Sequence, residues 1–176
     1  MIAQDFQTKL LNFCFNIIMK HRFAFILLIL AAALLIIYFV RLVESKNEFV
    51  PARLGASNLE LRLAKTTYEQ ARGLMFVFHM PENRGMLFIY PALGTYSFWM
   101  ANTFIPLDII WLDSEFRVVH VSKNTPPCRN YFNSKNCPVY RPTYPARYVL
   151  ELNGGFVEKN NVKFQDKLII NSSLLQ

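Results

Sequence analysis

The chain has 176 residues, with 19 Lys and Arg against 12 Asp and Glu and a formal net charge of +7. That length holds one domain with appendages and excludes large multidomain machinery. A basic balance raises nucleic acid as a partner, but no nucleic-acid-binding motif accompanies it, so none is expected.

Residues 1–22 carry Asp5, Lys9, Asn12, Asn16 and Lys20 three or four positions apart. On a helix these form one polar stripe opposite Phe6, Leu10, Phe13 and Ile17. That pattern suits a short segment lying on the cytoplasmic face of a membrane. Met19 is the alternative start, since MKHRF before an apolar run is an ordinary signal-anchor opening.

Residues 23–40, FAFILLILAAALLIIYFV, hold no charge, Gly or Pro. As a helix they reach roughly 27 Å, close to the thickness of a bilayer core. Lys20, His21 and Arg22 precede the run and Arg41 alone follows directly. This bias places the N-terminus in the cytoplasm and the rest outside. A signal peptide cleaved near Val43-Glu44-Ser45 is the competing reading, but the run is long for one and no A-x-A follows. A buried core helix is disfavoured because nothing in the run could face water. The expectation is a single-pass anchor in the inner membrane, with the C-terminal domain periplasmic or otherwise extracytoplasmic.

Residues 41–57 read as a linker and 58–176 as one extracytoplasmic β domain, a common domain size. Leu59, Leu61 and Leu63 alternate with polar neighbours, as in a half-buried strand. Thr66 or Thr67 can cap a short helix, TYEQAR, ending at Gly73. MLFIY, stopped by Pro91, is a strand, and Ser97–Met100 and Leu107–Leu112 are two more. A turn at Asp113–Phe116 returns the chain through Arg117–Ser122 as a hairpin. RYVLEL (Arg147–Leu152) puts Tyr148, Leu150 and Leu152 on one face. FVEKNN is a helical turn, and Asp166–Ile170 is a last strand. Short strands without helical crossovers predict a mostly β fold: a compact antiparallel barrel or sandwich with one or two short helices.

Cys14 precedes the apolar run, on the reducing side. Cys128 and Cys137 follow it, in PPCRNYFNSKNCP, and an even pair in an oxidising compartment reads as a disulfide closing a loop. A metal site with His120 is the weaker alternative, because the spacing is not C-x-x-C and no second His is near. From Phe116 to Leu150 there are six basic residues (Arg117, Lys123, Arg129, Lys135, Arg141, Arg147) and no acid. A solvated face accounts for them; the functional alternative is a surface for anionic envelope polymer or lipid headgroups.

ARGLMF, GMLFIY, FWMANTFIPLDIIWLD, PPC with a later CP, and RYVLELNGG occur in this order. Together they resemble the family called domain of unknown function 192, over about Leu59–Ile170. The resemblance implies a compact, mostly β, barrel-like fold and no established activity. One departure is Ala101, where the family often has Lys or Arg.

The polar residues of those motifs need an explanation. Arg72 can pair with Glu69 at i, i+3 or with Asp108, a lone carboxylate between Leu107 and Ile109. Such a carboxylate must be paired or hydrogen-bonded when buried. In the structural reading, Asn102 and Thr103 tie a tight strand connection, Asp108 clamps Arg72 or backbone amides, and Trp99 fills core. In the functional reading, Arg72, Trp99, Asn102, Thr103 and Asp108 line a pocket for a small polar or envelope-derived ligand such as a sugar. Two further functions stand beside it. A hydrolase would use Asp108 as acid or base with a second carboxylate, Glu69 or Asp113. An assembly module would dock through the basic Cys loop and Tyr131, Phe132, Tyr140 and Tyr144. No phosphate loop, zinc signature or nucleophile–His pair occurs, so no cofactor or metal is expected.

Overall fold

The computed structural model describes Met19, Arg22 and residues 25–39, 49–128 and 136–175. The chain divides into two units, Met1–Asn47 and Glu48–Gln176. In the first, residues 25–39 form a helix, α1, with Phe25, Leu27, Leu35 and Phe39 more than 60% exposed. No helix among the described residues is long and apolar enough to cross a membrane. Phe23, Ala24 and Val40 of the apolar run, the whole polar stripe before it and Cys14 lie outside the described residues.

The second unit is built on a seven-stranded sheet. Its strands are β1 (Phe49–Leu54), β2 (Ser57–Ala64), β3 (Arg84–Gly94), β5 (Leu107–Leu112), β6 (Val118–Thr125), β8 (Ala146–Asn153) and β9 (Leu168–Ile170), in the order β6-β5-β8-β3-β2-β1-β9. A second sheet pairs β4 (Phe98–Trp99) with β7 (Val139–Tyr140). The helices are α2 (Thr67–Arg72) and α3 (Phe156–Lys159), with a 3-10 turn at Ser172–Leu175. The fold is therefore mostly β with few short helices.

Two expectations are corrected. The stretch read as linker contains β1, which pairs with β2 through a tight turn at Gly55, where φ is +60°. Pro51 and Arg53 interrupt the hydrophobic signal, so only Val50, Ala52 and Leu54 mark the buried side. The sheet is also mixed rather than antiparallel throughout. β2 and β3 are parallel, because α2 and the loop after it return the chain to the starting end of β2. A helical connection between parallel neighbours is the ordinary solution.

The sheet curls. The segment just before β9 meets the segment just before β6, with an Arg117–Lys167 bridge. Val118 N donates to Asp166 O (2.9 Å), Gln165 N to Val118 O (2.8 Å) and Leu168 N to Phe116 O (2.9 Å). The edge strands thus touch at one end only, giving a half-barrel. Its inner core draws on all seven strands, including Leu54, Leu59, Leu87, Ile110, Val118, Leu150 and Leu168, and Phe156 and Val157 of α3 pack into it. The outer face has a second core of Phe88, Phe98, Met100, Ile109, Trp111 and Val149. There the rings of Phe88 and Phe98 meet edge to face at 4.8 Å, and Trp111 Nε1 donates to Tyr96 O at 2.8 Å. The central strands are consequently apolar on both faces; all six residues of β5 are buried.

Cys128 and Cys137 form a disulfide, with sulfurs 2.06 Å apart. Residues 129–135 of its loop, including Arg129, Tyr131, Phe132 and Lys135, lie outside the described residues. The ends of the loop flank one segment. Cys128 forms a parallel bridge to Ala101, while Val139 and Tyr140 pair antiparallel with Trp99 and Phe98.

Candidate functional site

Two carboxyls lie inside the sheet, on opposite faces. Asp108 of β5 is opposite Leu152 of β8, and Ile109 is opposite Glu151. Side chains alternate along a strand, so Asp108 joins the inner face with Ile110 and Leu112, and Glu151 joins the outer face with Val149.

Asp108 is wholly buried and fully engaged. Its Oδ1 accepts from Asn124 N (2.6 Å) and Gly155 N (3.2 Å), and its Oδ2 accepts from Val157 N (2.7 Å). Two of those amides open α3, whose own cap residue, Gly155, has no side chain to offer. A carboxylate at a helix start satisfies amides that the helix leaves unpaired. Asp108 clamps backbone amides. It does not pair with Arg72, which lies on α2 against the other face.

The second carboxyl shows a different environment. Glu151 is 4% exposed, and its Oε2 is buried with no hydrogen-bond partner. Met86 and Ile109 are its neighbours across the strands. Burial lifts its pKa from 4.5 to about 8, so it holds its proton at neutral pH. It also acts at a distance: Tyr90 is raised, by burial first and then by Glu151.

A cleft of about 30 Å³ opens over Glu151. That is room for about one water-sized group. Its near wall is the end of α2. Thr66 caps the helix, with Glu69 completing a capping box, and the Glu69 carboxylate accepts from the Lys65 and Thr66 amides. These bonds, the Thr66 amide first, hold the Glu69 pKa below its usual value. Glu69 therefore serves the helix start rather than a partner for Arg72. The exposed Arg72 reaches the cleft from the last turn, close enough to Arg62 to depress that guanidinium further after the effect of its burial. Gly73 follows at φ +47°. A Cβ there would stand 3.2 Å from Phe88 Cζ and 3.8 Å from Glu151 Oε2, so glycine lets the backbone approach the acid.

The far wall is the segment Trp99–Thr103. Trp99 is 44% exposed between buried Phe98 and Met100, so it presents a ring at the cleft instead of filling core. Thr103 is buried and lines the cleft; its N donates to Met100 O at 3.1 Å. Asn102, at φ +55°, accepts from Phe76 N and donates to Cys128 O, both at 2.9 Å. Its Oδ1 is buried without a partner. Of the five residues singled out from sequence, Arg72, Trp99 and Thr103 meet at the cleft. Asn102 adjoins it as the turn residue, and Asp108 stands on the other side of the sheet. Glu151 escaped the sequence reading.

A larger hollow of about 330 Å³ lies between the β2 and β3 starts and α3. Its polar groups hold one another: Lys159 Nζ meets Glu82 at 2.6 Å, and Asn153 Nδ2 donates to Met80 and Pro81 carbonyls. It offers no unmet polar atom comparable to Glu151. Among the described residues no three His, Cys, Asp or Glu gather as a metal site. His120 instead contacts Thr143 Oγ1 through Nδ1 at 3.0 Å, and burial lowers its pKa.

Residues 50–170 match the DUF192 family model, described as Uncharacterized ACR. The chain belongs to that family. It is 31% identical over 114 residues to a UPF0127 protein of Pyrococcus horikoshii, covering 62% of this chain and 85% of that one. A UPF0127 protein of Thermococcus kodakarensis is 29% identical over 112 residues, 61% of this chain and 62% of that one, so the chain spans less than two thirds of this relative. Two crystal structures share the fold. A putative transcription regulator from Sinorhizobium meliloti aligns with TM-score 0.63 at 28% identity, over 70% of this chain and 94% of its own. A protein of unknown function from Novosphingobium aromaticivorans aligns with TM-score 0.61 at 32% identity, over 68% and 84% respectively.

Proposed function

We propose that residues 48–176 form a membrane-tethered, extracytoplasmic binding domain, and that its cleft captures a hydroxyl-bearing group of a small polar ligand such as an envelope sugar. The observation that carries this reading is Glu151, a buried carboxyl with an unpartnered oxygen beneath a half-exposed Trp99. An unmet buried acceptor costs free energy, and a ligand hydroxyl would recover it. Below a pKa of about 8 the carboxyl both donates and accepts, which matches a hydroxyl. The indole supplies the apolar platform on which a sugar ring packs. The cleft admits one small group, so the rest of the ligand lies over Trp99 and toward Arg72.

The exposed apolar α1 and the basic flank before it support a tether. A disulfide supports an oxidising compartment. The hydrolase reading loses its acid, since Asp108 is enclosed by three amides and Glu151 is the single carboxyl lining the cleft.

Trp99 reports the test directly, because the other tryptophan, Trp111, is fully buried. Titrating the protein with a panel of neutral and amino sugars should give a saturable change in fluorescence for at least one class. Glu151→Leu should weaken that binding about tenfold or more, and Trp99→Phe should remove the signal. A panel that leaves the emission unchanged throughout would sink the reading.

A further inference from the structure

We infer that the loop from Leu74 to Met80 is a lipid-contact surface that seats the domain on an anionic bilayer. The loop reads LMFVFHM; Leu74, Val77 and Met80 pack into the outer core, whereas Phe76 and Phe78 face outward, where a surface connection is ordinarily polar. Phe76 is 52% and Phe78 71% exposed. The Phe78 ring stacks on Phe104 at 4.4 Å, and Phe76 lies 6.4 Å from the same ring. Three rings thus form one aromatic ledge beside the Trp99 cleft.

The ledge is held in place. Phe76 N donates to Asn102 O at 2.9 Å. Phe76 itself sits at φ +63°, a conformation uncommon for a bulky residue and a mark of strain that its surroundings impose. Backbone strain and exposed apolar surface both oppose this arrangement in water, and contiguous exposed apolar rings mark contact surfaces.

The chain indicates the occupant. Exposed Arg72 beside the ledge, and the 14 Lys and Arg against 10 Asp and Glu of residues 48–176, complement anionic lipid.

The test uses residues 48–176, which form a compact unit with its own cores. Without α1, this unit should co-sediment with vesicles of phosphatidylcholine and phosphatidylglycerol. The double variant Phe76→Asn, Phe78→Ser should bind about tenfold more weakly or worse. Asn tolerates positive φ, so the variant should keep its thermal midpoint and its response to sugars. Absence of vesicle binding by the unvaried unit overturns the proposal, as does equal binding by the variant, which would leave charge alone responsible. Neither result bears on the tether. That fails separately, if the full chain washes off membranes at high pH.

Discussion

Asp108 and Glu151 are both acids in apolar strands, and their environments set opposite demands. Asp108 accepts three amide hydrogen bonds and is wholly buried. Asn at this position keeps one acceptor and places an NH2 against backbone donors. We expect Asp108→Asn to lose about 2 to 4 kcal/mol in urea unfolding at pH 7. Glu151 behaves in reverse. Its folded pKa of about 8 exceeds the unfolded 4.5, so between those pH values the folded state holds a proton that the unfolded state has released. Stability therefore falls as pH rises through this window and levels off above it, by an amount on the order of a few kcal/mol. Glu151→Gln carries no such proton. Its stability relative to wild type should rise from pH 5 to pH 8, and a constant difference across that range would show that the acid is hydrated rather than buried. The sequence showed Asp108 as an anomaly because its neighbours are uniformly apolar. Glu151 was hidden by alternation: with Tyr148, Leu150 and Leu152 assigned inward, its face passed for solvent. The correcting signal was the apolar character of both faces in MLFIY and LDIIWL, the strands that flank β8.

At the scale of elements, the cleft's far wall is held from both sides by one covalent loop. Cys128 bridges Ala101, Val139 pairs with Trp99, and the Cys128–Cys137 bond ties the two contacts together. In the chain-entropy account a loop this short contributes about 2 to 3 kcal/mol. Replacing both cysteines by serine should cost about that much in thermal or urea unfolding. It should also weaken sugar binding at Trp99 more than at any site remote from β4. Unchanged affinity would mean that the wall stands without its loop. Most elements were legible in the sequence because strand periodicity and caps are local: TYEQAR, LDIIWL and RYVLEL appear nearly where they were expected. β1 was not, because Pro51, Arg53 and a short tight turn mask the alternation. Nor was the parallel pairing of β2 and β3, since a six-residue helix is brief for a crossover and parallel order is a property of pairing, not of either strand.

At the scale of the whole unit, residues 48–176 form a half-barrel with one core inside its curl and another outside. Both cores lie within residues 48–176, so this unit should unfold in a single cooperative transition when expressed without residues 1–47. Coincident near- and far-ultraviolet circular dichroism transitions would check this; two separated transitions would show that the cores melt independently. The barrel expectation was sound in its curvature, but closure depends on where the last strand lands. β9 has only three residues, and it reaches β6 through the bridge at Arg117 and Lys167.

The placement of the two acids also bears on how the sheet finds its alignment. Asp108 and Glu151 are one step apart on neighbouring strands and face opposite ways. Sliding β5 by a single residue would turn Asp108 outward toward Glu151 and leave the α3 amides facing leucine or isoleucine. Each acid would then be worse off, and every apolar residue of β5 would exchange faces as well. The pair therefore acts as a proofreader of strand register: misaligned hairpins are penalised at the centre of the sheet, and a variant with both acids made apolar should tolerate mispairing that the native chain rejects.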